Sequence, residues 1–365
     1  MRTGVYPAQW LRKAIDEGYV RSRFVLPDPS ESQLQPASLD LRLGERAYRL
    51  RCSFLPGEES VEAKLDRYAM GTALDLRDGA ILERNVPYLI PLEESLALPD
   101  EVRAKANPKS SIGRLDVFTR VITDRGVRFD EIRRGYAGKL YLEVFSRTFT
   151  IRVFSGQALN QLRLIEGHSR LSDDEIRERH VVASGGSADV DGGLFLSLDL
   201  RGDERGLVGY RARRNSELLD LSQRGLDPDL FWEPVHPEKG APRLVLEPEE
   251  FYLLISREAV AIPPDLAAEM NAYDPTSGEL RTHYAGFFDP GFGVGNEHGA
   301  RAVLEVRAHD VPFVVEDGQR ICTLGFERMR DEPEILYGGA IGSNYQAQTT
   351  FLSKYFSPVA GAGAR

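Results

Sequence analysis

Ser38-Leu39-Asp40-Leu41-Arg42 recurs as Ser197-Leu198-Asp199-Leu200-Arg201, and that repetition decides how the rest of the chain is read. Tyr88-Leu89, leading to Leu98-Pro99-Asp100 and Asn107, is echoed by Tyr252-Leu253, Ile262-Pro263-Pro264 and Asn271. Leu142-Glu143-Val144 returns as Leu304-Glu305-Val306, and Gly156-Gln157 as Gly318-Gln319. The four offsets, 159, 164, 162 and 162 residues in the same order, describe one duplication. So long a period is a complete small domain and not the unit of a solenoid. The 365 residues are also more than one hydrophobic core commonly serves. The reading places the first copy over residues 1–167 and the second over 191–365. Between them, residues 168–190, with Asp173-Asp174-Glu175 and Ser184-Gly185-Gly186-Ser187, are expected to be a polar, flexible linker.

Within each copy the pattern favours strands. Lys139-Leu140-Tyr141-Leu142-Glu143-Val144-Phe145 alternates and is rich in aromatic and β-branched residues. Arg301-Ala302-Val303-Leu304-Glu305-Val306 and Val311-Pro312-Phe313-Val314-Val315 read likewise. Gly and Pro interrupt these runs at short intervals, the habit of barrels and sandwiches. Helix signals are few: residues 8–17 form an amphipathic pattern with Trp10, Leu11, Ala14 and Ile15 on its apolar face. Residues 218–239 have no counterpart in the first copy and are expected to form a surface loop. Residues 360–365 read as a frayed tail.

Composition narrows the function. A net charge of −10 argues against a nucleic-acid-coating surface, which needs a basic footprint. No apolar run reaches the length of a membrane span, and the first residues lack the apolar stretch of a signal peptide. Cys52 and Cys322 are the only cysteines, so a disulfide framework is not expected and a reducing cytoplasm is. Zinc-dependent cytidine deaminases need a C-x-x-C pair beside H-x-E. His236-Pro237-Glu238 imitates only the first half, so no zinc site is expected.

Three runs could carry chemistry. Lys109-Ser110-Ser111-Ile112-Gly113-Arg114 groups two hydroxyls, backbone N–H donors and two cations as a phosphate cradle would. A serine N-cap beside solvated charges explains the same run. Tyr284-Ala285-Gly286-Phe287-Phe288-Asp289-Pro290-Gly291-Phe292 holds an Asp-Pro-Gly turn flanked by rings that could wall a flat base, or simply form a hairpin with aromatic core residues. Tyr337-Gly338-Gly339 and Asn344-Tyr345-Gln346-Ala347-Gln348 suit a segment folding over a ligand, or an irregular tail. Glu305 and Glu143 each sit in an apolar strand, where a carboxylate must be paired, neutralised or functional. That argument alone does not choose between them. Either could have the raised pKa that a proton shuttle needs.

Together these motifs resemble the dCTP deaminase branch of the dUTPase-like superfamily, in its long two-copy bacterial form. Ser110, Ser111 and Arg114 match its S-S-x-x-R motif; Ala285, Asp289, Pro290, Gly291 and Phe292 match its hairpin, with Tyr284 replacing Thr. Leu304-Glu305 matches its catalytic L-E, and Tyr337, Tyr345 and Gln348 its closing segment, with Asn344 where Lys is usual. The copies depart in complementary ways. The first keeps S-S-x-x-R, but Thr123-Asp124-Arg125-Gly126 lacks Asp-Pro-Gly; the second keeps the hairpin, but Thr276-Ser277-Gly278-Glu279-Leu280-Arg281 has lost the phosphate motif.

The resemblance implies a mainly β fold: two tandem dUTPase-like (β-clip) distorted barrels with few short helices. It implies metal-independent hydrolysis of dCTP to dUTP and ammonia in pyrimidine deoxynucleotide biosynthesis. A dUTP diphosphatase, a bifunctional deaminase/dUTPase, and a non-catalytic nucleotide-binding regulator are the alternatives. Related single-copy chains build sites between subunits, so here Ser110 and Arg114 are expected to meet Glu305 across a domain or subunit interface, with Glu143 as the other candidate. Glu305 would move protons, the Ala285 carbonyl would orient the water, and Ser110 and Arg114 would stabilise developing charge. Lys109 and Ser111 would hold phosphates, Asp289 would bind the deoxyribose with Phe292 packed nearby, and Tyr337 and Gln348 would close the pocket. Mg2+ would arrive on the triphosphate. The dCTP/dUTP ligand and a possible homo-oligomer are the expected partners, with no nucleic acid and no membrane.

Overall fold

The echoes in sequence become equivalent strands in equivalent sheets. In the computed structural model, residues 3–21, 33–179, 181–185, 189–272, 280–282, 286–338 and 351–358 are described. Strand Ala137–Ser146 lies between Pro87–Ala97 and Val117–Thr123, antiparallel to both. Its counterpart Ala300–Ala308 lies between Phe251–Val260 and Leu280–Thr282 in the same sense. Even the register repeats: Glu143 faces Leu89, and Glu305 faces Leu253. The second sheet of each copy repeats too. Ala158–Glu166 pairs with Leu39–Arg42 and Val102–Pro108, and Arg320–Arg328 pairs with Leu194–Ser197 and Leu266–Ala272. The fold is thus mainly β, in antiparallel sheets with few short helices. Among the described residues, no helix is long and apolar enough to cross a membrane.

Period-2 alternation sends the two faces of each central strand to different places. In Ala300–Ala308 the even positions Ala302, Leu304 and Val306 pack in the second copy's own core. Val303, between them, joins the core of the first copy, together with Leu253 and Phe251 from the neighbouring strand. The two copies therefore share buried apolar surface. A smaller cluster of Val5, Ala37, Ile165, Ala267 and Met329 adds to it, and the Arg330 N–H donates to the Val5 carbonyl at 2.8 Å. Lys105 and Glu269 occupy duplicate positions and bind each other at 2.6 Å. Opposite charges at equivalent positions favour joining unlike copies, because like copies would set equal charges together.

The expected helix near the N-terminus forms over Ala8–Asp16 and buries Ala8, Leu11 and Ala14, while Trp10 and Ile15 pack partly against the core. Two expectations about connections are corrected. Residues 168–190 are not a bare linker: their described part holds helix Asp173–Glu178, closed by a Ser172/Glu175 capping box, and strand Val182–Ser184 on the second copy's sheet. Residues 218–239 are not a surface loop. Leu219–Asp220 runs parallel to Ile151–Val153 of the first copy, and Phe231 and Trp232 are buried in that copy's core, Trp232 lying 5.5 Å from the Phe149 ring. Their rings carry enough apolar area to dock an otherwise polar segment. The expected tail at 360–365 lies outside the described residues.

Candidate active site

A cavity of about 130 Å³ opens between the copies. From the first copy it is lined by Lys109, Ser110, Ser111, Gly113 and Arg114; from the second by Asp289, Phe292, Val303, Glu305 and Tyr337. All these residues belong to one chain, so the expected meeting of Ser110 and Arg114 with Glu305 occurs across its internal domain interface.

The S-S-x-x-R run forms a single helical turn, Ser110–Gly113, directly after strand Val102–Pro108. Lys109 is its cap residue and makes no capping bond through its side chain, so the serines are not N-caps. Ser111 and Arg114 are buried and Ser110 is exposed. Lys109 Nζ is bonded to Asp40. Arg114 Nη1 donates to the carbonyls of Phe351 and Leu352 at 3.3 and 3.4 Å.

Glu305 points from its strand at this turn. A Cβ placed on Gly113 would lie 2.7 and 2.8 Å from the two Glu305 carboxylate oxygens, closer than real side-chain contacts allow. Only glycine leaves room for the carboxyl there. Burial pushes the Glu305 carboxyl up to about 8; Arg114 opposes the rise and Asp116 adds to it. Two residues along on the same face, Arg307 is bonded to Asp116, and Asp116 accepts from Thr148 Oγ1 at 2.6 Å. Arg307 and Asp116 are both buried, so losing either partner would cost about 3–5 kcal/mol. This pair fixes the Glu305 strand against the turn that carries Arg114.

The Asp-Pro-Gly turn forms as the sequence implies. Gly291 has φ +92° and approaches Leu336 and Tyr337 closely, and the Tyr337 N–H donates to the Pro290 carbonyl at 2.8 Å. Phe292 is buried and packs edge-on to Phe288 at 5.1 Å and against Tyr337 at 5.6 Å. Burial raises the Asp289 carboxyl, and Arg163 opposes that rise. Arg163, fully buried, donates to Asp289 Oδ1 at 3.0 Å and to the Phe288 and Ala268 carbonyls at 2.9 Å, with its guanidinium 3.9 Å from the Phe287 ring centroid.

Glu143 is not in the cavity. It is 1 % exposed and faces Arg120 Nε at 3.3 Å. Ala285 and Gln348 lie outside the described residues, as do Tyr284, Asn344 and Tyr345. The motifs also pass over Gln35, Gln161, Gly113 and Lys354, which line the cavity, and Arg163, which holds Asp289. Arg163 left one signal: a lone arginine between Leu162 and Leu164 in an apolar strand. Among the described residues, no group of three or more His, Cys, Asp and Glu is placed to hold a metal ion.

Comparison with known proteins identifies the family. Residues 2–168 match the N-terminal domain, and residues 168–356 the C-terminal domain, of 2'-deoxycytidine 5'-triphosphate deaminase (DCD). The crystal structure of 2'-deoxycytidine 5'-triphosphate deaminase from Agrobacterium tumefaciens is 47% identical, with a TM-score of 0.85 over 90% of this chain and 100% of that one. A "dCTP deaminase, dUMP-forming" of Parafrankia sp. is 33% identical over 184 residues, 49% of this chain and 86% of its own. A "dCTP deaminase" of Natronomonas pharaonis is 32% identical over 157 residues, 42% of this chain and 75% of its own. The chain belongs to the 2'-deoxycytidine 5'-triphosphate deaminase family.

Proposed function

We propose that this chain hydrolyses the exocyclic amine of dCTP, releasing dUTP and ammonia, at the cavity between its two copies. The observation that carries the reading is the Glu305 carboxyl seated against Gly113 beside Arg114, with its pKa raised by burial to about 8. At pH 7 about nine in ten such carboxyls hold a proton. Neutral Glu305 protonates N3 of cytosine, which makes C4 electrophilic. The resulting carboxylate takes a proton from water as its oxygen bonds to C4. That proton passes to the amine, the C4–N bond breaks, and Glu305 recovers a proton from the new hydroxyl as the C4 carbonyl forms. Water and dCTP are consumed, and dUTP and ammonia leave.

Ser110 and Arg114 stabilise charge around the reacting ring. On the resemblance alone, the Ala285 carbonyl orients the water and Gln348 helps close the site. Asp289, oriented by Arg163, binds the deoxyribose, with Phe292 and Tyr337 packed beside it. Lys109 and Ser111 hold phosphates, and the substrate is taken as its Mg2+ complex, the cation riding on the triphosphate. Free Cys52 and Cys322 suit a reducing cytoplasm. One chain supplies both sides of the cavity, so one site per chain is expected whatever the assembly.

The curated relative of Parafrankia is called dUMP-forming, which makes the product the quantity to measure. Chromatography of a dCTP and Mg2+ reaction is expected to show dUTP and ammonia rising together. Appearance of dUMP and pyrophosphate instead would assign the bifunctional reaction, and binding without any product would assign a regulator.

A further inference from the structure

Residues 351–358 lie across the phosphate-motif turn and are pinned from both sides. Ser353 Oγ donates to the Ser111 carbonyl at 2.7 Å, beside the Arg114 contacts to the carbonyls of Phe351 and Leu352. On the other side, the Leu226 N–H donates to the Tyr355 carbonyl at 3.0 Å, and the Ser357 N–H to the Leu226 carbonyl at 2.9 Å. Phe356 packs on Phe231 at 5.4 Å and Trp232 at 6.0 Å, and Arg224 stacks on Tyr355 at 4.2 Å. Ser353 and Tyr355 are both buried, so the backbone of Lys354 is fixed while its side chain lines the cavity.

The cavity is electrically polarised. The charges acting on Glu305 are Arg114 and Asp116; those acting on Lys354 are Lys109, Arg224 and Asp40. Asp289 senses Arg163 and also the Asp40 and Lys109 charges that act on Lys354. Base chemistry therefore belongs at the Glu305 end, and a polyanion at the end where Lys109 and Lys354 converge. Burial, with Lys109 and Arg224 nearby, lowers the Lys354 ammonium to about 8, a cost that an arriving anion reverses. Asp40, already bonded to Lys109, is the opposing charge at that end.

We propose that Lys354 binds the triphosphate of the substrate, and that residues 218–239 serve to hold the C-terminal segment that delivers it. The proposal rests on the reading of the cavity as a dCTP site. It assigns a job to a segment beyond the closing motif and to residues 218–239, whose strand Trp232–Val235 stands in its sheet where Leu74–Asp75 stands in the first copy's.

The test uses the full chain with Lys354→Met, which keeps most of the apolar stem, and Lys354→Arg, which keeps the charge. With Mg2+ and dCTP, Lys354→Met is expected to raise KM by about tenfold to a hundredfold while kcat changes far less, and Lys354→Arg to recover most of the loss. Calorimetry is expected to show 2'-deoxycytidine binding both variants as it binds the unaltered chain. An unchanged KM for dCTP, or equal weakening of dCTP and 2'-deoxycytidine, would overturn the proposal, the second outcome marking Lys354 as merely structural. Inorganic tripolyphosphate separates the two levels of inference. If the unaltered chain proves inactive on dCTP, the deaminase reading fails, yet tripolyphosphate binding that Lys354→Met abolishes still upholds the anion site. Equal tripolyphosphate binding by both chains removes it.

Discussion

Glu143 and Glu305 stand at the same register of the same strand in the two copies, yet their surroundings are opposite. The face that carries Glu305, with Val303 and Leu253, is covered by the other copy, and the cover leaves a cavity over the carboxyl. The corresponding face of the first copy, with Tyr141 and Leu89, is covered by that copy itself. Phe54, Val61 and Leu65, from the segment containing helix Val61–Tyr68, pack on it directly. That segment is also tied to the first copy's hairpin: the Val61 N–H donates to Asp124 Oδ1 at 2.7 Å, and the Arg125 N–H to the Glu59 carbonyl at 3.1 Å. Where the second copy uses its hairpin to line a site, the first uses its own to anchor a plug. Burial raises the pKa of both carboxyls, with Ser53 and Arg120 opposing it at Glu143. A perturbed carboxylate therefore does not by itself mark the reacting group. Access does.

The sharpest way to break this comparison is to neutralise each carboxylate in turn. Glu305→Gln is expected to lower kcat for ammonia release by about 10²–10⁴-fold with dCTP binding retained, the range for loss of a general acid–base group. Glu143→Gln is expected to leave kcat nearly unchanged. Inactivity of the Glu143 variant alone would place the chemistry in the first copy. A smaller effect probes the contact itself. In Gly113→Ala the new methyl overlaps both Glu305 oxygens, so the carboxyl must shift by an ångström or so. Steady-state kinetics are expected to show a fall in kcat/KM of up to about 10²-fold, with the fold intact by circular dichroism. Activity equal to that of the unaltered chain would mean that Glu305 works from another position.

Much of this arrangement is legible in the sequence. Duplication and strand alternation are written in local order, so the repeated register of Glu143 and Glu305 follows from it. The S-S-x-x-R and Asp-Pro-Gly motifs carry recognisable side chains at fixed spacing, and they do converge on one cavity. What escaped depends on long-range packing. Gly113 matters through the absence of a side chain, which no donor inventory records. Phe231 and Trp232 sit in an aperiodic, polar stretch that looks solvated until the first copy's core is seen beneath it. Lys354 is embedded in Phe351-Leu352-Ser353-Lys354-Tyr355-Phe356, an apolar run whose docking was the available signal. The plug over Glu143 is equally silent, because nothing in Val61–Tyr68 says which face it will cover.

The smallest expected effect concerns stability, and it asks whether the first-copy carboxyl is only a buried burden. A carboxyl whose native pKa lies above its ordinary value, 4.5 for Glu, binds more protons folded than unfolded over that interval. Its contribution to stability is complete at pH values below 4.5 and declines as pH rises through the ordinary value towards the native one. For Glu305 the decline extends to about pH 8. Glu143 contributes in the same direction without taking part in turnover. Thermal unfolding of Glu143→Gln is therefore expected to lose part of the fall in Tm that the unaltered chain shows above pH 4.5, while its kcat stays level. Glu305→Gln is expected to flatten the same curve and to lose turnover. An unchanged Tm profile for Glu143→Gln would mean that Arg120 holds the carboxylate ionised beneath the plug. The two faces would then differ in charge as well as in access, and the closed site would be sealed around an ion pair.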